Sequence, residues 1–137
     1  MEFERLELLI GDKINELKEK NVLVLGIGGV GGYATESLVR NGIGNITIVD
    51  YDTVDITNIN RQIIATHSNI GKKKIDVMEE RIKDINPNCN VIKYDLFYEE
   101  KNKDIIFDNK IDYVIDCCDS LESKKILIME CVKRNRR

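Results

Sequence analysis

The sequence predicts an α/β domain, a doubly wound Rossmann-like parallel sheet, and three observations lead there. Four short strand-like stretches, the apolar runs Val22–Leu25 and Ile46–Val49 and then Val91–Tyr94 and Ile111–Ile115, alternate with stretches of helical periodicity. The first run leads directly into the glycine-rich turn Gly26-Ile27-Gly28-Gly29-Val30-Gly31. The second closes on an acid, Asp50, and the fourth on Asp116. Strands of a parallel sheet are covered on both faces, so continuous apolar runs are expected there rather than alternation.

Taken in order, Phe3–Ile10 and Ile14–Leu17 carry apolar residues at helical spacing, with Asp12 placed to cap the second helix. After the first strand and the glycine turn, Tyr33–Asn41 reads as a helix with Ala34, Leu38 and Val39 inward and Gly42 as its stop. The polar stretch Asp50–Gln62 follows the second strand. Ile75, Met78, Ile82 and Ile85 then predict a helix over Lys72–Ile85, ended by Asn86-Pro87. Glu99–Ile106 reads as a short helix between the third and fourth strands, and Leu121–Val132 as the last helix. That helix runs into Lys133–Arg137, where a doubly wound domain sends a further strand back, so a domain truncated before its last strands is expected.

At 137 residues, 42% hydrophobic and 33% charged, the chain is large enough for one domain with a real core. Charges every two or three positions in Met1–Lys20 and apolar runs of four or five residues leave no leader and no membrane span, which points to the cytoplasm. The net charge of −3 gives no general basic field for nucleic acid, although Lys133–Arg137 is locally basic. Cys89, Cys117, Cys118 and Cys131 form no C-x-x-C pair and have no neighbouring histidine, so zinc is not expected. Cys117 and Cys118 read as packing thiols at a strand end, and His67 as a loop residue.

The glycine turn satisfies G-x-G-x-x-G between a strand and a helix. Its glycines let backbone approach a phosphate, the helix start offers unpaired N–H groups, and Asp50 can accept from ribose hydroxyls. A dinucleotide site neutralises its pyrophosphate largely with backbone dipoles. Asn58, Asn60, Arg61 and Gln62, followed by Lys74, suit instead a triphosphate whose leaving pyrophosphate gathers charge, with a carboxylate-bound magnesium ion. ATP is therefore expected ahead of NAD, with an NAD-dependent oxidoreductase domain and a non-catalytic nucleotide- or partner-binding chain as the alternatives.

These residues carry a family resemblance. G-x-G-G-V-G, D-Y-D-x-V-D-x-x-N-x-N-R-Q, G-K-K-K and D-C-C-D-S, in order from about Arg5 to Cys131, resemble the ubiquitin-activating-enzyme-like adenylyltransferases of the ThiF/MoeB/HesA family. T-N-I-N-R-Q and R-I-K-D-I-N-P-N-C most resemble the branch of tRNA threonylcarbamoyladenosine dehydratases. The resemblance implies that Gly26, Gly28, Gly29 and Gly31 serve the phosphates and that Asp50, with Asp52 beside it, serves the ribose. Asn58, Arg61 and Gln62 would hold phosphates, Lys74 the triphosphate, and Asp119, followed by Ser120, the magnesium ion. Arg5 would reach the nucleotide of the other subunit of a homodimer. The implied reaction is attack of a substrate carboxylate on the α-phosphorus of ATP with loss of pyrophosphate, which requires no general base. The acceptor is the modified adenosine of tRNA in one branch and the C-terminus of a small ubiquitin-like carrier protein in others.

Overall fold

The computed structural model describes residues 1–137. Four parallel strands, β1 (Asn21–Leu25), β2 (Asn45–Asp50), β3 (Asn90–Asp95) and β4 (Tyr113–Asp116), lie in the order β3-β2-β1-β4. The order reverses between β1 and β4, which opens a crevice beyond their carboxyl ends. The register sets Val22 beside Ile46 and Tyr113, and Leu25 beside Val49 and Asp116. The strand-end residues that follow therefore emerge at one level.

Alternation along the strands splits the core into two layers. Val22, Val24, Ile46 and Ile48 face α3 (Gly31–Arg40) and α4 (Lys74–Ile85), where Val39, Ile75, Met78 and Ile82 meet them. Leu23, Leu25 and Val49 face the other way, against Tyr98, Ile106, Ile111 and Leu127, the last from α5 (Leu121–Lys133). The lead-in helices α1 (Glu4–Ile10) and α2 (Lys13–Glu19) bury only Ile14. No helix is long and apolar enough to cross a membrane.

Several local expectations change. Asp12 precedes α2 but makes no capping hydrogen bond. α4 starts at Lys74 rather than Lys72, because Lys72 and Lys73 run antiparallel to the segment after β2: the Val54 amide donates to Lys72 O, and Thr53 bridges to Lys73. Ala34 and Leu38 are only half-buried, and α3 instead presents Gly31, Gly32, Thr35, Glu36 and Val39 inward. Gly31 lets the first turn of α3 pack directly on Gly26 at the end of β1. Glu99–Ile106 is two 3₁₀ turns, Glu100–Asn102 and Ile105–Phe107, and not one helix. Asn102 Oδ1 accepts from the Glu99 amide and ends the first turn on itself.

Candidate nucleotide-binding cleft

The glycine turn is shaped by two neighbours that leave no room for a side chain. Gly26 has φ +97°, and a Cβ there would sit 2.6 Å from Cys117 O. A Cβ on Gly31 would fall 1.7 Å from Gly26 O, so the third glycine is what lets α3 start against β1. Gly28 and Gly29 differ. A Cβ on Gly28 would find only Gln62 Nε2 at 3.8 Å, and one on Gly29 only Arg61 at 3.7 Å, both ordinary contacts. Nothing in the protein forbids a side chain at either, and both line the cleft. That is backbone left bare toward a ligand.

The cleft has a volume of about 370 Å³ and stands over the switch point. On its glycine side are Gly26, Gly28, Gly29, Arg61 and Gln62, and at its base Asp50, Asp52 and Lys74. Asp119 and Ser120 enter from the segment between β4 and α5. Ten of the residues singled out in the sequence thus share one cavity although up to 94 positions separate them, from Gly26 to Ser120.

Each cation in the cleft is held in a way that leaves capacity. The Lys74 side chain is 6% exposed, and its Nζ lies 3.7 Å from Asp52 Oδ2, an ion pair too long to be a hydrogen bond. An ammonium buried at a helix N-terminus is unfavourable twice over, by desolvation and by the helix dipole, and a second anion relieves both. Arg61 is exposed and anchored through Nη1 alone, to Thr57 O at 2.9 Å and Asn60 Oδ1 at 3.0 Å. Gln62 is buried, and its Oε1 has no partner. Buried polar atoms are rarely left so, and a ligand donor would satisfy this one.

The carboxylates converge as well. The phenol of Tyr51 is held above its ordinary value by Asp52 first, then by burial, Asp50 and Asp119. Asp119 is exposed, and no group of three or more His, Cys, Asp and Glu is arranged to hold a metal. One carboxylate fits magnesium only as a partial site, since that ion keeps waters and takes its remaining oxygens from substrate phosphates. Ser120 caps α5, its Oγ accepting from the Ser123 amide at 3.2 Å.

Four residues expected at the site stand outside this cavity, and one of them, Asn60, is exposed and spends its Oδ1 on Arg61. Asn58 Oδ1 accepts from the Asp55 amide at 2.8 Å, a capping box around the 3₁₀ turn Ile56–Asn58 that orients Arg61 and Gln62 from behind. Gly31 lies beneath the turn as packing, covered by Gly26. Arg5 is exposed on α1 and does not line the cleft of its own chain.

Sequence reasoning passed over the opposite wall. Tyr51 meets Phe97 edge-on, with centroids 5.2 Å apart at 86°, and Leu96, Tyr98 and Ser123 continue that side. Leu96–Tyr98 follow the end of β3, and the strand-end rule that selected Asp50 could have flagged them. Cys117 and Cys118 also line the cleft, but burial raises both thiols, and with the Asp116 carboxylate it pushes Cys118 up to about 12. Neither is a thiolate near neutral pH, in keeping with packing rather than nucleophilic use.

Known proteins share this fold. The chain is 49% identical over 135 residues to the tRNA threonylcarbamoyladenosine dehydratase of Bacillus subtilis (strain 168), covering 98% of this chain and 53% of that protein. It superimposes with a TM-score of 0.95, at 41% identity, on the E. coli tRNA N6-threonylcarbamoyladenosine dehydratase TcdA crystallised in complex with ATP, covering 98% of this chain and 56% of that one. It is also 43% identical over 105 residues to the adenylyltransferase and sulfurtransferase UBA4 of Vanderwaltozyma polyspora, covering 77% of this chain and 24% of that protein. The chain thus spans about half the length of the dehydratases it matches. The ThiF family model matches residues 4–137, and the chain belongs to the ThiF family.

Proposed function

We propose that this chain binds ATP with magnesium and carries the carboxylate-adenylating site of a tRNA threonylcarbamoyladenosine dehydratase. The observation that carries the reading is the buried, underpaired Lys74 ammonium facing the same cavity as Arg61 and the bare backbone of Gly28 and Gly29. ATP supplies an electrophilic α-phosphorus and a pyrophosphate leaving group. The protein's part is to hold the phosphates along the glycine turn, with Arg61 and Lys74 placed where charge accumulates as the α–β bond breaks. Asp119 anchors the magnesium ion, Asp50 and Asp52 meet the ribose, and Gln62 accepts from a nucleotide hydroxyl. An already ionised carboxylate needs no base to attack the α-phosphorus.

The working unit on this reading is a cytoplasmic homodimer in which Arg5 reaches the partner's nucleotide. A second acceptor class, the C-terminus of a small ubiquitin-like carrier protein, is favoured by the similarity to a ubiquitin-like modifier-activating enzyme of Caenorhabditis elegans, 32% identical over 137 residues. The NAD pyrophosphate carries less charge than a triphosphate and so gains less from two cations in the cavity. Calorimetric titration of the chain with MgATP and with NAD separates the two. MgATP is expected to bind, and Lys74→Ala to weaken it about 30-fold, roughly 2 kcal/mol. NAD binding without ATP binding, or ATP binding indifferent to Lys74→Ala, sinks the proposal.

A further inference from the structure

The Asp50 carboxylate is engaged before any ligand arrives. Its Oδ2 accepts from the Ile27 amide at 2.7 Å, inside the glycine turn, and its Oδ1 accepts from the Asp52 amide at 2.8 Å. Asp52 in turn accepts the Lys74 amide on its main-chain oxygen at 3.0 Å and lies 3.7 Å from Lys74 Nζ through its carboxylate. A continuous path therefore runs from the turn, through Asp50 and Asp52, to the buried lysine. Each oxygen of Asp50 keeps a lone pair, so a ribose hydroxyl can still be accepted.

We propose that Asp50 is a positioning residue for the phosphate side of the cleft: by accepting the Ile27 and Asp52 amides at once, it sets the glycine turn and Lys74 at the spacing one polyphosphate needs. This rests on the nucleotide reading above and extends it, because a group known only as a ribose acceptor has no reason to affect a ligand that lacks ribose. Only a carboxylate can do this. An asparagine offers one oxygen to one amide and turns its own NH₂ against the other, at nearly the same volume.

The test uses the 137-residue chain with inorganic tripolyphosphate, adenosine and MgATP as probes, alongside amide hydrogen exchange. Asp50→Asn is expected to weaken tripolyphosphate at least tenfold. It is also expected to speed exchange at Ile27, whose hydrogen bond is made to Asp50 alone, and at Lys74, while Leu23 and Ile48 keep their protection. If exchange rises at Leu23 and Ile48 too, the residue supports the whole fold and the inference is overturned. Asp50→Ser, too short to span both amides, guards against an effect peculiar to asparagine and must give the same pattern. Tripolyphosphate affinity that survives both substitutions while adenosine binding falls overturns the inference alone. A wild-type chain that binds neither tripolyphosphate nor MgATP overturns the nucleotide reading itself.

Discussion

The two faces of the sheet are closed by different means. On one, α3 and α4 cover Val22, Val24, Ile46 and Ile48 and anchor a cluster of 15 buried residues. On the other, α5 and two 3₁₀ turns cover Leu23, Leu25 and Val49, and the cluster holds 7. The cleft lies along the seam. Its phosphate-side backbone comes from the first face, where α3 abuts the glycine turn, and its aromatic wall from the second, where the segment after β3 is pinned by Ser123 Oγ donating to Tyr98 O at 2.6 Å. A ligand that needs backbone N–H groups at fixed spacing is best served by the rigid face. A flat, less demanding group can be met by a wall built from loops.

The largest effect expected from breaking this arrangement is at Gly31. Because a Cβ there overlaps Gly26 backbone at 1.7 Å, Gly31→Ala must push α3 off β1 and distort the turn together. A loss of more than about 3 kcal/mol in unfolding free energy is expected, at the upper end for overpacking, with phosphate binding lost at the same time. Urea unfolding and tripolyphosphate titration check it. A stable protein that binds normally would mean that the first face is not rigid.

Next comes Glu36, which joins α3 to α4 by accepting from Arg81 Nε at 2.6 Å and from Arg40 Nε at 2.9 Å. Its carboxyl is held below its ordinary value near 4.5, chiefly by the Arg81 hydrogen bond, with burial opposing and Arg40 assisting. The unfolded chain therefore takes up a proton at this site at a higher pH than the folded one. The contribution is complete above pH 4.5 and is lost as pH falls through the lower folded value. Arg81 keeps access to water, so Glu36→Gln is expected to cost about 1–2 kcal/mol at pH 7, less than the ~3–5 kcal/mol of a fully buried pair. That deficit should shrink in chemical unfolding at pH 3. A constant deficit across that range would remove Glu36 as the titrating tie between the helices.

How far the sequence revealed each face follows from the range of the interactions that build it. Ile75, Met78 and Ile82 announce α4 because a helix repeats its own period, and Gly26 and Gly31 announce the turn because a side chain fits at neither. The buried Glu36 was invisible, since its ion-pair partner Arg81 lies 45 residues away and an acid on a helix reads as exposed. On the second face, outside α5, almost nothing is periodic. Tyr98 Oη donates to Lys103 O, Asn102 folds back to Glu99, and Ser123 reaches across 25 residues. Residues 99–106 therefore resembled a helix, and Leu96–Tyr98 were passed over as part of the site. The bond made by Asn58 was hidden for a related reason: a carboxamide in a polar motif serves the ligand or the loop that presents it, and only the fold shows that its Oδ1 accepts from the Asp55 amide.

The smallest effect on stability is expected at the aromatic wall, and it decides whether the faces act separately. Phe97 is 38% exposed and touches Tyr51 edge-on, so Phe97→Ala should cost no more than about 1 kcal/mol in unfolding, the scale of one aromatic pair. If this wall meets the base of the nucleotide, MgATP affinity falls about 3- to 10-fold, or roughly 0.7–1.4 kcal/mol, while tripolyphosphate affinity stays as in the wild type. Equal losses for both ligands would show that loosening the second face is felt across the seam at Gly28, Gly29 and Lys74. No loss for either would leave the wall outside the ligand's reach. Only the selective loss fits a cleft whose rigid side grips charge and whose looped side sorts what the charge is attached to.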